Sequence, residues 1–201
     1  SFGQMLNNSP YTRYGLGELM NTATTPFSGF GGLSTPIANF RFVNVSNPAT
    51  YSSLARYNPI FDVAVYGKLS NLKTENESVK NSTFVLRNFT LALPIGKKWG
   101  AAFGLMPYST TGYNITDYQV LDGDSIANNY IGDGSINRAF IGTGCNMINQ
   151  GDTLKLSVGV NASYLFGTLE RERNVVFSNS TFYNTKVQEK NALRGMSFDG
   201  G

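Results

Sequence analysis

From Leu154 to Phe166 the chain alternates apolar and polar residues without losing step, and few folds accept such a pattern. Leu154, Leu156, Val158, Val160, Ala162, Tyr164 and Phe166 share one face of an extended chain, while Lys155, Ser157, Gly159, Asn161 and Ser163 share the other. A period of two means a β-strand with one apolar face and one small or polar face. Soluble strands average about 5 to 6 residues, whereas a membrane-crossing strand needs about 9 to 11. The length of this one points to a membrane. No helix competes for that role: the longest charge-free run, Trp99 to Thr116, is broken by Gly100, Gly104, Pro107 and Gly112 and reads as strand and turn.

Composition agrees with a strand-built membrane protein. Charged residues make up 14% of the 201, against a typical figure of about 25%. The mean hydropathy of -0.18 is no obstacle, because half of every barrel strand is polar. The net charge of +3 is spread without a basic stripe, so nucleic acid is not an expected partner. With no histidine and a single cysteine, Cys145, the chain as given has no Cys/His zinc site, Ser-His-Asp triad, Cys-His dyad or internal disulfide. Cys145 reads as a small apolar strand residue. Asp117, Asp122, Asp124 and Asp133 sit in one polar stretch, and Asp122-Gly123-Asp124 has the look of a calcium loop. The remaining ligand spacing and the closing Glu are absent, so solvation is the simpler reading. The expectation is a protein that is not an enzyme, with no cofactor and no metal.

Alternation recurs along the chain at Ile60 to Leu69, Thr83 to Ile95, Trp99 to Tyr108, Ile136 to Ile148 and from Asn191 onward. Tight turns are expected at Gly96-Lys97-Lys98 and Asn149 to Asp152. Long polar loops are expected at Ser70 to Ser82, Ser109 to Ser135 and residues 168–190. Long loops alternating with tight turns are the layout of an outer-membrane barrel, with short periplasmic turns and long outer loops. Residues 1–58 show no sustained alternation and form an irregular segment ahead of the strands at 59–201. Ser1-Phe2-Gly3-Gln4 resembles what export cleavage leaves at a mature N-terminus.

In lipid a sheet must close on itself and turn apolar side chains outward. The small residues Gly100, Ala102, Gly104, Gly142, Gly144 and Gly159 on the opposite face would then leave room inside, and Trp99, Tyr108, Tyr164 and Phe166 would lie at the interfaces. About six strands can be counted, and single-chain bacterial barrels have at least about 8, so the chain reads as the N-terminal half of a larger barrel.

Gly29-Phe30-Gly31-Gly32-Leu33, followed by Asn47-Pro48-Ala49 just ahead of the first strand, resembles the N-terminal pattern of FadL-type outer-membrane transporters of long-chain fatty acids and other hydrophobic compounds. The phrases Ser9 to Gly17, Leu105 to Ser109 and Tyr164 to Gly167 are similar to those of a divergent bacterial branch of such barrels. The resemblance implies an all-β fold, an antiparallel transmembrane barrel preceded by an irregular periplasmic hatch. It makes Asn47, Pro48 and Ala49 the hatch motif and Gly29, Gly31 and Gly32 the hatch glycines. It also implies passive uptake of a hydrophobic small molecule that leaves sideways into membrane lipid beside a kinked strand. Gly100, Gly104 and Pro107 are the candidate kink, because Gly and Pro weaken a strand's ladder.

Simpler readings stand beside these. Asn-Pro also starts ordinary turns. Arg171-Glu172-Arg173 is either a solvated cluster or a seat for an acidic head group. As a whole, the chain is a transporter, a barrel scaffold or shuttle that binds protein partners in secretion or surface attachment, or a secreted β-sandwich adhesin. The sequons at Asn81, Asn88, Asn114 and Asn179 would suit the last, but Asn161 forms another inside the strongest strand.

Overall fold

The computed structural model describes residues 9–21, 24–29, 31–73, 78–121, 124–150, 154–177 and 184–201. Ser1 to Gln4, Phe30, Asp122, Gly123, Gly151, Asp152 and Asn179, which figure in the expectations above, lie outside the described residues. The fold is all-β. A short β1 (Glu18–Leu19) precedes β2 (Ile60–Lys73), β3 (Ser78–Ile95), β4 (Trp99–Leu121), β5 (Asp124–Gln150), β6 (Leu154–Phe177) and β7 (Thr185–Gly200). These strands make one seven-stranded antiparallel sheet, in which β2 to β7 follow chain order and β1 pairs with β4. Among the described residues helix is confined to α1 (Thr25–Ser28) and two 3-10 turns, Pro10–Arg13 and Pro48–Ser53. No helix among the described residues is long and apolar enough to cross a membrane, which leaves strands unaddressed.

The alternation in β6 has the faces its sequence requires. Leu154, Leu156, Val158, Val160 and Tyr164 are exposed, while Asn161 and Ser163 are buried on the opposite face. The same exposed face carries Phe61, Val63, Phe89, Leu93, Ile95, Trp99, Phe103, Ile141, Met196 and Phe198 from the other strands. Leu154 to Tyr164 measures about 33 Å along the strand, or about 25 Å in height at a tilt of about 40°, which matches the apolar band of outer-membrane barrels.

The expected long loops are strands instead. β2 and β3 run through Ser70 to Ser82 up to their short connection, β4 and β5 run through Ser109 to Ser135, and β6 and β7 run through much of 168–190. Their ladders continue unbroken, from Ser109↔Ile136 to Leu121↔Asp124 in one hairpin and from Thr168↔Ala192 to Val175↔Thr185 in the next. The physical reason is that a hairpin standing in water needs no apolar face. Its backbone groups pair across the ladder, and cross-strand contacts such as Lys186 with Glu172 at 2.8 Å support it. Polar residues on both faces erase the periodicity from which a strand is read.

The opposite face of the sheet is covered by the segment ahead of β2. Val43, Val45, Tyr51 and Leu54 from that segment pack on Ala92, Ala102, Met106 and Phe140, forming the main hydrophobic cluster with Ile60 at its margin. The small residues of β4 to β6 are therefore a floor rather than the lining of an open space. A Cβ on Gly100 would strike the Tyr51 carbonyl, one on Gly144 the Pro48 carbonyl, and one on Gly159 the Pro48–Ala49 peptide. Only glycine lets the two backbones come this close.

Candidate functional site

Of the residues singled out in the irregular segment, Asn47, Pro48 and Ala49 form the turn seated on that floor, whereas Gly29, Gly31 and Gly32 belong to a separate turn whose nearest neighbours are Pro26 and Asn21. Asn47 caps the Pro48–Ser53 turn: its Oδ1 accepts from the Ala49 N–H at 3.2 Å, and its Nδ2 donates to the Thr35 carbonyl at 2.9 Å. Pro48 occupies the first turn, where its missing N–H costs nothing. Gly31 and Gly32 have φ of 69° and 85°, and the Gly32 N–H donates to the Phe27 carbonyl at 3.0 Å to close the turn after α1, which Gly29 ends. Left-handed backbone of this kind is what glycine supplies after a helix.

The turn is fastened to β6 by polar contacts that span more than a hundred residues of sequence. The Tyr51 hydroxyl donates to Asn161 Oδ1 at 3.0 Å, and Asn161 Nδ2 donates to the Val45 carbonyl at 3.0 Å. Ser52 Oγ lies 3.0 Å from Ser157 Oγ. Asn161 is fully buried, so both ends of its amide find partners on the segment it holds. Burial pushes the Tyr51 hydroxyl above its ordinary range, more than the Asn161 bond lowers it, and the group remains a donor. Alongside, Arg138 on β5 reaches across the same face, donating from Nε to Ser163 Oγ at 2.9 Å and pairing through Nη2 with Asp199 of β7 at 2.6 Å. Asn161 was legible as an inward residue, whereas Tyr51, Arg138 and Asp199 carried no motif.

Gly100, Gly104 and Pro107 all sit on β4, but Gly100 and Gly104 pair with Pro94 and Thr90 inside the β3–β4 ladder, and only Pro107 lies beyond its end, where the sheet divides. The β3–β4 ladder runs from Ile95↔Trp99 only to Phe89↔Leu105, and the β4–β5 register shifts between Pro107 and Ser109. Beyond that point β1 takes the vacated edge: Glu18 and Leu19 pair with Thr110 and Ser109, the Met20 N–H donates to the Tyr108 carbonyl at 2.9 Å, and the Ser9 N–H donates to that of Gly112 at 2.9 Å. A Cβ on Gly104 would meet the Phe89 carbonyl and the Phe140 ring. Among the described residues no group of three or more His, Cys, Asp or Glu is placed to hold a metal ion.

These features define a class: an all-β protein whose single antiparallel sheet wears an apolar belt on one face and an N-terminal segment, anchored through glycine contacts and buried amides, on the other. The chain belongs to the BamG family, a Bam complex-associated family whose model matches residues 1–201. No curated protein and no solved structure matches it. The family match overturns the FadL-type resemblance, and with it uptake of fatty acids or other hydrophobic small molecules. The misleading phrases were short ones with local work to do. An Asn cap, a Pro in a first helical turn and two left-handed glycines serve many irregular segments.

Proposed function

We propose that this chain is part of an outer-membrane β-barrel that acts as a non-enzymatic scaffold, binding protein partners within the Bam outer-membrane assembly machinery. The observation that carries the reading is the BamG family match along the full 201 residues. Three structural features support it. The exposed apolar belt has the height of a bilayer's hydrocarbon band and calls for lipid on that side. The outer edges of β2 and β7 are unpaired among the described residues, and lipid tolerates such edges only if further strands close the sheet. Beyond the belt the β4–β5 hairpin continues to Leu121; its inner part, Ser109 to Tyr113, is buried, and its outer part from Asn114 to Gln119 offers an exposed, mostly polar surface to a partner. In this arrangement the Gly96–Lys98 turn and the anchored segment lie on the periplasmic side, and the polar hairpins lie outside.

Site-specific photocrosslinking tests the reading. A photoreactive residue at Asn114 or Tyr118, in the native bacterium, is expected to trap a core component of the Bam machinery in the outer-membrane fraction. Fractionation away from the outer membrane, or crosslinks that never include a Bam component from any hairpin position, sinks it.

A further inference from the structure

We propose that Arg13, Arg171 and Arg173, gathered around Tyr130 on the polar hairpins, form a binding site for a phosphate group. The sheet's register builds the site. Tyr130 pairs with Arg173 and Arg173 with Val187, while two residues along Tyr113 pairs with Gly132, Gly132 with Arg171, and Arg171 with Glu189. Residues two apart on a strand share a face, so these two rows are adjacent on one surface. Gly132 leaves a gap between large neighbours, over which the Tyr113 ring lies. The N-terminal segment closes the side: Arg13 and Tyr14 join Tyr113, Tyr130, Arg171 and Arg173 around a cavity of about 410 Å³.

The charges in this cavity do not balance. The Arg13 guanidinium lies 4.3 Å from the Tyr130 ring centroid and that of Arg173 lies 5.5 Å from it, so one electron-rich ring draws both cations together. Arg173 Nη2 reaches Asn128 Oδ1 at 3.4 Å, a neutral acceptor. Arg171 Nη2 donates to the Gly15 carbonyl at 3.1 Å, and its Nε is buried with no hydrogen-bond partner. Two carboxylates line the same cavity; a lysine outside it offsets Glu172, whereas Glu189, opposite Arg171 in the ladder, keeps its charge, so three arginines face one uncompensated carboxylate with a surplus of two positive charges. Glu172 is bonded by Lys186 Nζ at 2.8 Å and Asn174 Nδ2 at 2.7 Å, and Glu189 accepts from Asn191 Nδ2 at 2.8 Å. None of the three arginines forms an ion pair with another described residue. Guanidinium forks match the oxygens of phosphate and carboxylate alike, but a dianion balances the surplus positive charge where a single carboxylate falls short. The ligand is therefore a phosphate, either free in solution or on a lipid head group. The site stands independently of the partner-binding reading above.

Calorimetric titration of the full chain in detergent micelles tests it, first with inorganic phosphate and pyrophosphate and then with micelles containing phosphatidate in place of phosphatidylcholine. Saturable binding is expected, weakening as salt rises and falling about tenfold or more in Arg13→Gln and Arg171→Gln. Arg56→Gln, whose guanidinium lies over the Tyr57 ring instead, is expected to bind as the parent does. Phosphatidate binding tighter than free phosphate identifies a lipid head group; equal or weaker binding identifies a soluble phosphate. Arg171→Lys, which keeps the charge and loses the fork, serves if the glutamine variants fail to fold, and the parent titration is decisive by itself. The proposal is overturned if neither phosphate nor phosphatidate saturates, if acetate binds as tightly as pyrophosphate, or if folded Arg171 variants match the parent.

Discussion

Asn161 carries a demanding load for one side chain. It is fully buried, its Nδ2 holds the Val45 carbonyl and its Oδ1 receives the Tyr51 hydroxyl, so the Pro48–Ser53 turn is tied to β6 by a neutral network with no spare member. Removing the hydroxyl leaves a buried amide oxygen without a donor. Tyr51→Phe should therefore cost about 1–3 kcal/mol, although it deletes only one oxygen atom. The measurement is the thermal midpoint in detergent, together with protease cleavage between residues 40 and 55, which should rise in the variant. An unchanged midpoint and an unchanged cleavage pattern would show that glycine-floor packing alone seats the turn. That Asn161 faces inward follows from its place in the alternation between Val160 and Ala162. Its partner at residue 51 does not, because contacts so distant in sequence leave no local period. Gly100, Gly144 and Gly159 were likewise visible as small residues on one face, but small residues read the same whether they border a cavity or touch a neighbouring backbone.

At the scale of elements, legibility follows solvent. From Leu154 to Tyr164 one face of β6 is exposed and apolar and the other is covered by the N-terminal segment, so the sequence alternates; beyond Gly167 charged and polar residues occupy both faces around the buried Leu169, and the strand disappears from the pattern while its ladder continues to Phe177. The upper β6–β7 hairpin is held by backbone pairing and by ion pairs, Glu172 with Lys186 and Glu170 with Lys190. Its stability is accordingly sensitive to acid. The Lys186 and Asn174 contacts hold the Glu172 carboxyl below its ordinary range. A carboxylate depressed in the folded state contributes fully above its unfolded value and loses that contribution as pH falls through the folded one. Protection of the Thr168–Phe177 amides, taken relative to the intrinsic exchange rate at each pH, should thus be high at neutral pH and fall below the ordinary carboxylate range. In Glu172→Gln the hairpin should exchange faster at neutral pH and respond less to acid. High salt should blunt the difference, because the lysine of the pair is exposed. Equal pH profiles for parent and variant would remove this ion pair from the account.

On the scale of the whole molecule, two surfaces with opposite requirements are joined through one sheet. One face carries the exposed apolar belt and the other is covered by the N-terminal segment, so a side chain's value depends on which of the two it belongs to. Family membership was not legible, since the Asn47-Pro48-Ala49 and Gly31-Gly32 phrases report local turns and not ancestry, whereas the belt was legible residue by residue. The belt also makes the most direct claim about surroundings. Val158 lies midway between Leu154 and Ala162 on the exposed face of β6, where the hydrocarbon centre would fall. If lipid covers that face, Val158→Arg should destabilise the folded chain in bilayers by about 2–4 kcal/mol, the usual cost of an arginine at mid-depth on a barrel. Val176→Arg, at an exposed position of the same strand beyond the belt, should change stability by no more than about 0.5 kcal/mol. Urea unfolding from phosphatidylcholine vesicles, with the single Trp99 as reporter, measures both. Equal effects at the two positions would mean that water or a polar partner covers the belt, and the β2 and β7 edges would then need covering by protein rather than closure within a membrane.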